Sequence, residues 1–204
     1  MKNFWFKIVL IGVVVFGVFM LFGCGSKDKN QSNNNKMDKE NSIKPEEKKF
    51  ISIYYNDEVS KDEKYLSKFY SNPQSSNISY IKKKLNDFGI TKMSLIDLYN
   101  VNSKSRLKVM VSAFNVYFKG INKPRPDIEI ITLINKNNSW YFLNDESVLN
   151  ADEKKWLDSK REKERKFIVT NSNIQNIFKL NNSFDIENRN YMKNCQQKFL
   201  SDAN

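Results

Sequence analysis

The feature that most constrains this chain lies at its start. Residues 8–22, IVLIGVVVFGVFMLF, form an unbroken apolar run preceded by Lys2 and Lys7. A run of that kind has no place on a water-facing surface; with positive charge before it, it goes to a membrane with its N-terminus on the cytoplasmic side. Residues 25–44, GSKDKNQSNNNKMDKENSIK, are polar, of low complexity and without periodicity. They are too poor in apolar groups to offset their own ordering entropy, and read as a disordered tether. A packed body must therefore be built from residue 45 onward, and what remains of the 204 residues is one domain's worth.

The run ends in Leu21-Phe22-Gly23-Cys24, followed by Gly25-Ser26. This segment resembles a bacterial lipoprotein signal peptide with its lipobox. Leu21 matches the apolar position three before the cysteine, and Gly23 the small residue just before it; Phe22 departs from the pattern, where smaller residues are commoner. The resemblance implies a thiol acylated at Cys24 and cleavage between Gly23 and Cys24. The alternative is an uncleaved spanning helix, which needs roughly 20 apolar residues, against roughly 7–15 for a signal core. Phe4-Trp5-Phe6 brings the segment near the longer limit, so length leaves both open, while the small-Cys-small exit favours the lipoprotein. Either way the body hangs outside the membrane on a tether. Abundant Asn, Lys and Ile suggest an AT-rich genome and fit a Gram-positive lipoprotein.

The chain is 40% hydrophobic and 28% charged, as in ordinary globular proteins, with a formal net charge of +11 and a pI of about 9.5. This basicity suits a solvated Lys-rich surface, or attraction to anionic lipid headgroups or wall polymers outside the membrane. No Arg-rich, aromatic-interleaved block points to nucleic acid, so none is expected as a partner. There is no histidine, which removes the usual general base and the commonest transition-metal ligand. With Cys24 acylated, Cys195 has no partner for a disulfide and reads as a small buried hydrophobe.

From Pro45 the periodicity predicts a helix over residues 45–59, with Phe50, Ile53 and Tyr54 at helical spacing and Glu46-Glu47 in the first turn. Ser60-Lys61-Asp62-Glu63 has the form of a capping box, with Ser60 as cap to a helix carrying Tyr65, Leu66, Phe69 and Tyr70. Asn72-Pro73 stops it. A third helix is expected over residues 77–88, closed by Gly89. Strands follow at residues 91–101, 106–118, 127–136 and 139–144, with a hairpin loop at 102–105 and a turn at Asn137-Asn138. In the second strand Leu107, Val109, Val111 and Ala113 alternate with Lys108 and Ser112, and the apolar set then moves to Phe114, Val116 and Phe118; this phase change predicts a bulge that bends the strand. Asn150 is expected to cap a helix running through Trp156 and Leu157 to Lys166. A short helix at Ile174-Ile177-Phe178 and a last one capped by Ser183 follow, the latter burying Phe184, Ile186, Tyr191, Cys195 and Phe199.

These parts give an α+β fold: N-terminal helices packed on a curved, cone-like antiparallel sheet of four strands, with C-terminal helices added. RLKVMVSAFNVYF, DIEIITLINK and NNSWYFLN, with Trp140 after a polar turn, resemble the nuclear-transport-factor-2-like, or cystatin-like, superfamily over residues 46–144. The resemblance implies a cone with a helix on its concave face, as in many small lipoproteins of unknown function; members include enzymes, ligand binders and scaffolds, so fold alone leaves function open. The expected organisation is a signal peptide over residues 1–23, a lipidated cysteine and tether over 24–44, the cone-like domain over 45–149 and a helical extension over 150–204 that could stand as a separate hairpin.

No nucleophile elbow, phosphate loop, zincin, paired-cysteine or calcium-loop motif is present, so no catalytic residue, metal or cofactor is assigned. Asp57-Glu58, Asp62-Glu63, Asp145-Glu146 and Asp152-Glu153 read as caps and dipole partners. Tyr99, Phe114, Tyr117, Trp140 and Phe142 are candidates to line the mouth of a cone, or else its core. The run from Lys160 to Lys166 reads as a solvated helix face or a contact for an acidic partner. Three functions follow. The chain is a membrane-anchored binding or scaffold lipoprotein of the envelope, an accessory subunit of a conjugation or secretion machine docking by its helical tail, or a hydrolase or isomerase working through a carboxylate enclosed in the cone with a raised pKa.

Overall fold

The computed structural model describes residues 42–201. The apolar run, Gly23, Cys24 and the stretch to residue 41 lie outside the described residues. Among the described residues no helix is long and apolar enough to cross a membrane.

Four N-terminal elements come first: α1 (Pro45–Glu58), α2 (Glu63–Ser67), a 3-10 turn (Pro73–Ser75) and α3 (Ile78–Asp87). A meander follows: β1 (Ile90–Lys104), β2 (Leu107–Phe118), β3 (Arg125–Lys136) and β4 (Ser139–Phe142), all antiparallel in the order β1-β2-β3-β4. After a second 3-10 turn (Glu146–Val148) the chain ends in α4 (Ala151–Asp158), α5 (Arg161–Thr170), α6 (Ser172–Glu187) and α7 (Arg189–Ser201). The fold is α+β, a four-stranded antiparallel sheet with helices before and after it.

Local chemistry explains most boundaries. Pro45 opens α1, whose Glu47 reaches back to accept from the Lys44 amide at 2.9 Å. Asn150 and Glu153 form a reciprocal capping box at the start of α4, both bonds 2.9–3.0 Å. Gly89 has φ +59°, and a Cβ there would sit 2.8 Å from the Tyr191 hydroxyl, so both conformation and close approach demand glycine. Asn137 and Asn138, with φ +51° and +63°, make the turn that joins β3 to β4.

Several expectations need correction. Asp62, not Ser60, caps α2, its Oδ1 accepting from the Tyr65 amide at 2.7 Å; Lys61 instead continues the end of α1 through its amide to the Asp57 carbonyl. The hairpin loop is shorter than residues 102–105, because β1 runs on to Lys104. The expected helix from Asn150 to Lys166 breaks at Ser159-Lys160 into α4 and α5. Ser183 caps nothing: it lies inside the 16-residue α6 and its hydroxyl donates to the Lys179 carbonyl at 3.0 Å. Asn171 caps that helix, accepting from the amides of Asn173 and Ile174. Ile186, expected inside, is 57% exposed.

The phase change in β2 also has another cause. The β2–β3 register is unbroken from Leu107↔Ile134 to Val116↔Arg125, and the three register shifts are on β1, at Thr91, Ile96 and Val101. The two apolar phases of β2 are its two faces, because side chains alternate across a sheet. Met110, Phe114, Val116 and Phe118 pack with Ile51, Tyr54 and Tyr55 of α1 in the larger core. Leu107, Val109 and Val111 pack with Ile134, Leu157 and Ile174 on the other face. We call these the inner face, under α1, and the outer face.

The C-terminal helices are not a separate hairpin. Phe184, Met192 and Cys195 belong to the larger core, and Leu157 and Ile174 to the smaller one. Arg125 of β3 ties α6 down through a two-pronged bond to Asp185, at 2.8 and 3.0 Å.

Candidate functional site

Chemistry-bearing groups gather on the inner face, between α1 and the sheet. The helix carries them because its inward residues are Glu47, Ile51, Tyr54, Tyr55 and Glu58, all buried. The sheet answers with the polar positions of the same face: Lys108 and Ser112 of β2, and Arg125, Asp127 and Glu129 of β3, which lie opposite Val116, Phe114 and Ser112.

At the N-terminal end of α1, Lys108 Nζ sits 2.7 Å from Glu47 Oε1 and 2.8 Å from Oε2. It also donates to the Ser42 carbonyl at 3.0 Å, and lies 6.0 Å from the Trp140 ring centre. Both side chains are nearly inaccessible, at 7% and 0% exposure, so each charge needs the other to neutralise it.

At the other end the Tyr54 hydroxyl donates to Glu58 Oε1 at 2.9 Å and shares a hydrogen bond with the Tyr70 hydroxyl at 2.6 Å. The Tyr55 hydroxyl donates to Glu129 and lies 2.9 Å from Ser112 Oγ. Burial pushes Glu58 up to about 8; the nearby Glu129 adds to this, against Tyr54's hydrogen bond and the charges of Lys84 and Lys82. Burial, with the neighbouring carboxylates, also holds the three tyrosines well above their ordinary value. Lys84 of α3 is pulled down by burial despite Asp127, Glu129 and Glu58 nearby.

Beyond them Arg125, 1% exposed, donates to Asp127, Asp185 and Asn181. Burial raises Asp127, and Arg125 limits the rise. Lys82 closes the end of α1 from outside, its Nζ donating to the carbonyls of Glu58, Val59 and Lys61. Next to it a surface depression of about 290 Å³ is lined by Val59, Glu63, Ser79 and Lys82 among others.

The five aromatic candidates do not meet at one mouth. Phe114 and Phe142 are buried in the larger core, and Trp140 is half-buried against it. Tyr99 packs on the outer face with Phe167, ring centres 6.2 Å apart, and Tyr117 shares that face beneath Lys92. Three carboxylate pairs are structural: Asp62 and Asp145 cap turns, and Glu153 joins its capping box to Arg106. Asp57-Glu58 differs, since it closes a helix instead of opening one. Sequence reasoning passed over Tyr54, Glu58, Lys108, Arg125 and Glu129 as site residues. The available signal was polar residues in the strand alternation at Lys108, Ser112, Asp127 and Glu129, matched by inward acids on α1.

Chemically, an enclosed carboxyl near neutrality beside tyrosines and a lysine is able to hold or pass a proton. No cluster of three or more His, Cys, Asp and Glu suited to a metal occurs among the described residues. In comparison with known proteins, the chain matches no family model and no curated protein.

Proposed function

We propose that this chain is a non-enzymatic binding or scaffold module, held by a lipid on Cys24 at the outer face of the cytoplasmic membrane. The observation supporting a scaffold over an enzyme is the filled inner face. Ile51, Tyr54 and Tyr55 of α1 are at most 3% exposed, so the sheet beneath this stretch of the helix is closed to a substrate. Most of the polar side chains there bond to one another, which suits rigidity better than turnover.

Docking through the tail has support of its own. Val169, Phe178, Leu180, Ile186 and Leu200, all on α5 to α7, are large apolar side chains left 41–65% exposed. An envelope protein seated on these helices would make the chain an accessory subunit. Catalysis retains one supporting feature, the enclosed Glu58 with its raised pKa.

The anchor is tested by fatty-acid labelling of the full chain in a Gram-positive host. The parent should take up label and be trimmed, and Cys24→Ser should do neither; an unlabelled, untrimmed parent sinks the anchor. The scaffold role is tested by in-cell crosslinking of the full chain with Leu180→Glu and Ile186→Glu. Loss of a crosslinked partner with the fold intact supports docking through the tail. Deleting residues 151–204 is no test, because it strips Phe184, Met192 and Cys195 from the core.

A further inference from the structure

The inner face is sealed by a helix whose grip on the sheet is partly polar. Tyr54 and Tyr55 bring hydroxyls into the core, and Glu58 brings a carboxyl, 7% exposed, onto the same cluster. Glu58 Oε2 is buried with no hydrogen-bond partner among the described residues. An ionised Glu58 would leave charge on a dry, unsolvated oxygen.

The titratable groups that act on it come from α1, α3, β3 and the segment after α2. Tyr54 is on its own helix, and Tyr70 follows α2. Lys82 and Lys84 come from α3, and Glu129 from β3. Tyr55, bonded to Ser112 of β2, also feels its charge. The lysines are already engaged: Lys82 Nζ holds three carbonyls, and Lys84 lies among Asp127, Glu129 and Glu58.

We infer that the C-terminal half of α1 is a proton-operated seal, seated over the inner face while Glu58 carries a proton and loosened when that proton is lost. Opening brings Glu58 into water, where its carboxyl ionises, so opening releases one proton. The proton is held in the closed state and absent from the open one over the interval between an ordinary glutamate value of 4.5 and about 8. Acid therefore tightens the seal, rising pH loosens it, and the effect levels off above that interval. The seal depends on the packing of α1 alone and needs neither the lipid anchor nor a partner protein.

Hydrogen exchange of the full chain in detergent, read by mass spectrometry from pH 5 to 9, tests this. After correction for intrinsic exchange, protection over residues 54–58 should fall by up to about tenfold per pH unit toward pH 8 and then level off. The β2 amides should stay more protected throughout. Glu58→Gln keeps an acceptor for Tyr54 but never ionises, so it should flatten the slope and keep α1 protected at pH 8. Tyr54→Phe removes the hydrogen bond that favours the ionised carboxylate, so it should extend the slope to higher pH, an independent check should Glu58→Gln fold poorly. A slope that survives Glu58→Gln, no slope in the parent, or α1 amides exchanging in step with β2 would each overturn the seal.

Discussion

The two faces of one strand make the instructive contrast. On its outer face β2 presents Leu107, Val109, Val111 and Ala113, all fully buried, and the first three join a cluster of hydrophobic side chains. On its inner face it presents Lys108 and Ser112 among Met110, Phe114, Val116 and Phe118, all equally buried. The outer face needs only shape and apolar area, so many side chains of the right volume would serve. The inner face needs partners at defined positions, because a buried charge is tolerable only when paired. Apolar packing gives adhesion there, while the polar pairs fix where α1 and α6 sit on the sheet.

The largest effect should come from leaving half of an inner-face pair behind. Arg125→Met strands Asp127 in the core and frees Asp185, and should cost about 3–5 kcal/mol in urea unfolding at neutral pH. An outer-face cavity is the counterpart: Leu107→Ala, fully buried, should cost roughly 2–4 kcal/mol by the same assay. A loss at Arg125 no greater than at Leu107 would erase the distinction between the faces.

Glu58 tests the contrast with the opposite sign. Its folded pKa lies above its unfolded one, so the stability tied to its proton is complete below 4.5 and gone once pH passes about 8. Glu58→Gln should therefore leave stability nearly unchanged at pH 4.5 and raise it by roughly 3 kcal/mol at pH 7. Thermal melts across that range would show the curves diverging as pH rises. On the outer side, Asn150→Ala removes one bond of the α4 capping box and should cost about 1 kcal/mol. The smallest effect should be that of removing a pair whole. Glu47→Leu with Lys108→Met should come within about 1 kcal/mol of the parent, although Lys108→Met alone strands Glu47 and should cost about 3–5 kcal/mol.

Element types were legible because the signals are local. Pro45, Asn150, the positive φ of Gly89 and the Asn137-Asn138 turn act through backbone groups within a few residues of themselves. Choices between neighbouring local signals were less legible: Ser60 and Asp62 both suit a cap, and only the path of the chain out of α1 selects Asp62. Ser183 looks like a cap in sequence, but Phe184 on the same helix finds the core and carries α6 past it.

By itself the sequence determined that helices precede and follow a four-stranded antiparallel meander, and that acids and lysines recur in the strand alternation. Those properties depend on neighbours along the chain, which a linear pattern records. Only the tertiary structure decided that β2 is covered on both faces, that Lys108 meets Glu47, that Arg125 meets Asp185 and that Glu58 lies beside Glu129. These pairings join residues tens of positions apart, and burial gives them their energy. A lysine in a strand looks the same on paper whether it faces water or a carboxylate in the dry interior.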